Sequence, residues 1–406
     1  MALGPSTSAW RDSQKLSADA KVGPSGNDAF SFWKLQEEWR SRLGAAIDES
    51  QATAERYLFE LYLSEKQRRP PAALGSYYRF RNFIPRPLRH WLNSAAIRAR
   101  GHGGFPNWPC ESVLLDFWRD WLDRALRSLD VEDGWHIGFW PHNARCCIVL
   151  THDVESPLGV RRMEKMADIE QKYGFLSSWN LPLLEYPIDW STVERLRARG
   201  FEIGAHGLAH DGKLFRSEAD FAELGRELQR LAREHSMVGF RSPSTLRRAE
   251  WIGTMAFEYD SSFADTDPYE PQPGGTCSIF PFRLGSLIEL PYTLPQDHTL
   301  MHLIHRDPVP LWHLKAQWIA AAGGMILALT HPDYMGAGEH LARYEEFLKR
   351  LRDLPDAWHA LPSEVADWWR RRSRMQLCIS GGQVVIKGDN TSGAVAARLR
   401  NHPLCA

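Results

Sequence analysis

Between Cys146 and Arg372, short apolar runs alternate with helical stretches, and no other feature of the 406-residue chain constrains its fold as much. "CCIVLT", "FLSSWNL", "FEIGAHG", "MVGFRS" and "GGMILALTH" read as strands. Between them, "VRRMEKMADIEQKYG" is a helix stopped by Gly174, and "DWSTVERLRARG" is a helix ending at Gly200. A further helix, which Ser217 can cap, carries Phe221, Leu224, Leu228 and Leu231 on one face. Strands alternating with helices over this length imply βαβ units and a parallel sheet, open or closed into a barrel.

In such folds the carboxyl ends of the strands form one face, where sites are assembled. Polar residues stand at four of these ends. Asp153 and Glu155 follow "CCIVLT", His206 and His210 follow "FEIGA", Arg241 follows "MVGF", and His331 follows "MILALT". Packing alone does not produce that convergence. "AHGLAH" places two imidazoles at i and i+4, which converge on one ion in a helix or a tight turn. One carboxylate from another strand end completes a His₂–carboxylate set with a position open for water, the pattern of a catalytic zinc-type site. His152 precedes Asp153 on an alternating strand end, so its side chain is expected to point away from that face. His298 in "PQDHTL" is read as a loop histidine near the mouth.

In this order, "LTHDVE", "GAHGLAH", "GFRSPS", "YDSSFAD" and "LALTHP" resemble the motif series of the polysaccharide deacetylases, carbohydrate esterase family 4 or nodulation-type deacetylases. The resemblance covers about 146–372. "DSSFADTDPYEPQPGG" and "LPYTLPQDHTL" look like bacterial homologues associated with exopolysaccharide gene clusters. The resemblance implies an α/β fold, a distorted (β/α) barrel. It implies a metal-dependent hydrolase that removes N-acetyl groups from an N-acetyl-hexosamine-containing glycan in exopolysaccharide biosynthesis. By the same resemblance His206 and His210 are metal ligands, Asp153 is the general base with Glu155 as carboxylate ligand, and Arg241 holds the base. His331 is then the general acid, Asp260 or Asp265 orients it, and Leu327 or Leu329 lines an acyl pocket. The implied metal is Zn²⁺, and such a donor set also takes Co²⁺ or Ni²⁺. The implied partner is a glycan or a lipid-linked oligosaccharide.

Two departures bear on the ligand set. The family commonly has two adjacent aspartates where this chain has Asp153-Val154, and the Asp-x-Asp of a related branch is here Asp153-Val154-Glu155. The longer carboxylate must fold back to reach a metal, so Asp153 remains an alternative ligand. The Trp usual in the fourth motif is missing from "YDSSFAD". Another amide or imide hydrolase of the same fold and a degenerate glycan-binding or scaffold protein are the competing readings.

Outside 146–372, residues 1–28 are rich in Ser, Gly and Pro and are expected to be disordered. Residues 29–145 read as a helical extension that opens with a helix from about Phe30 to Glu65. In its basic 77–100 segment, Leu88, Trp91, Leu92, Ala95 and Ala96 line one helical face with arginines around it. That segment is either a solvated face or a peripheral contact with anionic lipid. Residues 373–406 form a small β tail in which "QLCISGGQVVIKGDN" reads as a hairpin. The formal net charge of −1 argues against nucleic acid as a partner. Six cysteines without paired or metal-type spacing read as reduced. No apolar leader is visible at the N-terminus, so the expected location is cytoplasmic, with the inner membrane as a peripheral contact.

Overall fold

The computed structural model describes residues 26–70 and 104–405. The basic 77–100 segment and all but the last residues of the N-terminal 1–28 stretch lie outside the described residues. The described residues form the strands β1 Trp135–Ile137, β2 Cys146–Asp153, β3 Ser177–Leu181, β4 Glu202–Ala205, β5 Gly239–Phe240, β6 Tyr259–Asp260, β7 Phe282–Leu284, β8 Leu287–Glu289, β9 Met325–Thr330, β10 Ala357–His359, β11 Gln376–Ser380, β12 Gln383–Lys387 and β13 Ala396–Arg398. The main helices are α1 Arg40–Leu58, α2 Val113–Leu129, α3 Pro157–Lys172, α4 Trp190–Ala198, α5 Glu218–Glu234, α6 Pro308–Ala321, α7 Gly338–Arg352 and α8 Pro362–Arg374.

All eight residues of β2 are buried, as expected of a strand covered on both faces. β9 pairs with it in parallel on one side, while β10 and then β3 pair with it on the other. The parallel order continues through β4, β5, β6 and β8, and β7 closes the edge as an antiparallel hairpin partner of β8. The sheet curls until its ends meet. The chain leaving β8 donates the N–H groups of Thr293 and Leu294 to the Leu327 carbonyl in β9. The Thr293 hydroxyl donates to the Met325 carbonyl and accepts the Leu327 N–H at 2.9 Å. The result is the distorted (β/α) barrel, with this seam in place of a full strand pair.

Helix boundaries follow local chemistry. Ser217 accepts the Asp220 N–H and starts α5, and Ser156 accepts the Leu158 and Gly159 N–H groups at the start of α3. Gly174 and Gly200 both take positive φ where α3 and α4 give way to the next strands. Behind the barrel wall, His152 does point away from the mouth. It stacks on Trp179, meets Thr330 Oγ1 at 2.8 Å and Glu170 Oε1 at 2.6 Å, and is fully buried.

The extension corrects the sequence reading in one respect. The helix expected from Phe30 to Glu65 is broken after Trp33, where Lys34 adopts a left-handed conformation, and α1 starts only at Arg40. A tertiary demand sets the break: the Lys34 ammonium donates to the carbonyls of Ser373 and Met375, in and just beyond α8. The extension also contains a strand, β1, which pairs antiparallel with β13 of the tail. The tail's other strands, β11 and β12, form the expected hairpin, with Gly381 and Gly382 both at positive φ in its two-residue turn. Arg372 of α8 fastens extension to barrel by donating to the carbonyls of Phe32, Ile137 and Gly138. Trp33, Trp140, Trp179, Trp312 and Trp368 are fully buried, which makes core packing the main use of tryptophan here. Cys110, Cys146, Cys147, Cys277 and Cys378 are free thiols. Among the described residues no helix is long and apolar enough to cross a membrane.

Candidate metal and catalytic site

The ends of β2, β3, β4, β5 and β9 deliver polar side chains to one mouth of the barrel. Glu155, His206 and His210 each offer one donor atom there, and the three atoms lie within 4.8 Å of one another. Among the described residues this is the one group of three or more such side chains that converges in this way. Glu155 Oε1 lies 3.0 Å from His210 Nε2.

The clearest sign of a cation-binding site is at His206. Its Nδ1 faces the Arg241 carbonyl at 3.0 Å, so that nitrogen carries the proton and donates. Its Nε2 then bears a lone pair, is buried, and has no hydrogen-bond partner. Burial pushes the imidazole below its ordinary value, and the nearby Asp153 carboxylate offsets this only in part. A buried, unprotonated nitrogen aimed beside a carboxylate and a second imidazole fits a divalent metal. The donor set of two nitrogens and one oxygen suits zinc-type ions.

Asp153 sits beside that triad and is not one of its members. Its Oδ1 accepts from the Asn180 amide at 2.9 Å and from Arg241 at 3.3 Å, and its Oδ2 lies 3.9 Å from His206 Nδ1. Burial pushes this carboxyl up, but the neighbouring His206 ring, the charges of Arg241 and His331 and the Asn180 bond outweigh it and hold it below its ordinary value. Arg241 is itself fully buried and fixed, donating to Thr151 Oγ1, the Ser261 carbonyl and Ser261 Oγ. Asn180 has room only because residue 204 is glycine, since a Cβ there would sit 2.2 Å from Asn180 Oδ1. Glu155, one methylene longer than aspartate, brings a carboxylate oxygen to the triad. Burial raises its carboxyl, but His210 above all, then His331 and His206, hold it well below the usual carboxylate range.

His331 stands across the mouth, with Nε2 3.8 Å from Glu155 Oε1. Its Nδ1 donates to Asp297 Oδ1 at 2.7 Å, and its backbone N–H donates to Asp297 Oδ2 at 2.8 Å. Burial alone would lower this imidazole, yet Asp297, helped by Glu155 and Asp153, pushes it up to about 10. It is therefore a proton donor at neutral pH. Here the sequence expectation fails: neither Asp260 nor Asp265 orients His331. Asp260 is turned to the hydroxyl and N–H of Ser262 and lies beside Glu289 in a buried carboxyl pair. Asp265 is held 2.9 Å from the Lys315 ammonium. Leu327 and Leu329, expected to line an acyl pocket, are fully buried within β9.

Sequence reasoning also missed Asn180, Asp297, Glu185, Asp333 and Tyr334. Tyr334 packs on His331 with ring centroids 5.3 Å apart, and its hydroxyl lies 3.5 Å from Glu155 Oε2. His298 joins the same wall through Tyr334, at 5.6 Å. Asn180 carried a usable signal: it is a polar residue at the end of "FLSSWNL", the same kind of position as Asp153.

No protein-family model and no curated protein sequence matches the chain. Among solved structures it is similar to a protein of Mycobacterium smegmatis assigned as a polysaccharide deacetylase, at 20% identity over 57% of this chain and 92% of that one, with a TM-score of 0.48. It is similar to the Puue allantoinase at 16% identity over 57% and 92% of the two chains, TM-score 0.47. The peptidoglycan deacetylase PdaC of Bacillus subtilis is similar at 15% identity over 57% and 94%, TM-score 0.36. At such values these similarities add no residue-level assignment to the site, whose chemistry is set by the side chains described above.

Proposed function

We propose that the chain is a metal-dependent hydrolase that removes N-acetyl groups from an N-acetyl-hexosamine-containing glycan, with Zn²⁺ as the resident metal. The observation that carries this reading is the opposition of two fixed groups across one metal-type triad: an ionised carboxylate clamped by arginine and a protonated imidazole clamped by aspartate. Amide hydrolysis needs both. Glu155, His206 and His210 would hold the ion, which when bound acidifies water and polarises the amide carbonyl. Asp153, kept ionised by Arg241 and Asn180, takes a proton from the attacking water. His331, kept protonated by Asp297, gives one from Nε2 to the departing nitrogen. Arg241 and Asp297 act on these two groups rather than on substrate. A role in exopolysaccharide assembly, on a glycan or a lipid-linked oligosaccharide, is supported by the sequence resemblance over 146–372.

The test is mass spectrometry of N-acetylchitotetraose incubated with Zn²⁺- or Co²⁺-loaded protein. The expected product has lost the mass of one or more acetyl groups, and Asp153→Asn protein gives none. Tetraose bound but unchanged by the metal-loaded wild type would instead support a glycan-binding protein without activity.

A further inference from the structure

We propose that Asp333 and Glu185 are positioning residues for the metal site, each holding the main chain of one loop-borne ligand through its carboxylate. The inference rests on the metal-site reading above. The three ligands are anchored in different ways. His206 is held by the fold, since its backbone N–H donates to the Leu181 carbonyl at 2.8 Å and its ring is locked on the Arg241 carbonyl. Glu155 and His210 lie past the ends of β2 and β4, where no neighbouring strand takes their N–H groups. Their side chains are 27% and 13% exposed, against 2% for His206.

In both cases a carboxylate from another segment supplies the acceptor: Asp333 from the short helix Pro332–Met335, Glu185 from a turn after β3. Asp333 Oδ2 accepts the Glu155 N–H at 3.1 Å, and Glu185 Oε2 accepts the His210 N–H at 2.8 Å. The Asp333 carboxylate and the main chain of both segments are themselves braced. Asp333 Oδ1 accepts the Ser156 hydroxyl, and Arg162 donates to the Asp333 carbonyl at 2.6 Å. Gly159 makes the space, because a Cβ there would lie 2.4 Å from Asp333 Oδ2. The segment bearing Glu185 runs along the His210 turn, with the N–H groups of Leu183 and Leu184 donating to the carbonyls of Gly207 and Leu208. Glutamate has one more rotatable bond than aspartate, so a ligand at 155 loses more freedom on binding unless its main chain is already fixed. The Asp333 clamp answers the departure from aspartate that this chain shows at 155.

Titration of the full-length chain with Co²⁺, followed by visible absorption and by calorimetry, tests the proposal without using activity. Glu185→Ala and Asp333→Ala should each weaken Co²⁺ binding by about 10-fold or more, the usual scale for groups that orient metal ligands. Glu185→Gln and Asp333→Asn should stay within about 3-fold of wild type, because an amide oxygen still accepts the N–H. Gly159→Ala, which touches no ligand, should also weaken binding by displacing Asp333. Melting temperatures taken alongside separate lost affinity from lost fold. Alanine variants within about 2-fold of wild type, or amide variants that lose as much as alanine, would overturn the proposal, given the scale above. If wild type binds no Co²⁺, the metal-site reading falls and this inference with it. If wild type binds and the alanine variants bind equally well, this inference alone falls.

Discussion

Replacing Asp297 by Asn removes the charge that keeps His331 protonated while leaving an oxygen to accept a hydrogen bond. The carboxylate contacts both His331 Nδ1 and its backbone N–H, and the pair is buried. Burial disfavours the imidazolium, yet His331 is pushed up to about 10 from an ordinary 6.5. With charge centres roughly 4 Å apart and an effective dielectric near 20, the pair is worth about 4 kcal/mol, or about 3 pKa units. In metal-free protein, side-chain ¹H–¹⁵N spectra recorded from acid to alkali should therefore show His331 titrating about 3 units lower in the variant. Linkage fixes the companion effect on stability. Because the folded-state value is raised, the stabilisation is complete below about 6.5 and is lost as pH rises through about 10. Unfolding free energies of wild type and variant should thus differ most near pH 6 and converge above pH 10. The rate should follow the same sign, because a general acid must be protonated to act. Under the proposed function, deacetylation of N-acetylchitotetraose by the variant should fall off at lower pH than in wild type. A His331 value within about 1 unit of wild type would refute the assignment of Asp297 as the group that holds the proton.

Three further outcomes are expected. His136 is buried, and burial with the Arg372 charge lowers its imidazole to about 3. Since that value is depressed, stability is lost as pH falls below 6.5, by about 1.4 kcal/mol between pH 7.5 and 5.5, and urea unfolding of His136→Phe should lack that loss. Gly204→Ala should cost about 1–3 kcal/mol in thermal unfolding, because the new methyl overlaps Asn180 and pushes it off Asp153. Zn²⁺ at about 100 times its dissociation constant should add about 2.7 kcal/mol of stability, seen as a melting shift that chelator reverses. His206→Ala should show no such shift, and an equal shift in that variant would place the ion elsewhere.

The legible part of the fold is the part written in contiguous runs. β2 and β9 are unbroken apolar stretches that stop at a polar residue, so both the strands and the site residues at their ends can be read directly. The Ser217 cap and the Gly381-Gly382 turn carry their own local chemistry. Asp297 was not legible, because the segment from Leu290 to His298 has no repeating pattern and its role depends on where the barrel seam falls. Asp260 looked plausible only because it sits in a motif; its neighbour Glu289 comes from a strand of three residues that no period reveals. The break at Lys34 depends on carbonyls more than three hundred positions away, and no local propensity reports a partner at that distance.

The seam at Thr293 bears on how the His331 proton would be lost. Asp297 lies a few residues past one lip of the seam, and His331 lies a few residues past the other, in β9. Opening between the two lips would separate the aspartate from the imidazole, while the pairing of β2 with β3 lies away from the seam. The proton donor exists only in the closed ring, so its titration reports closure.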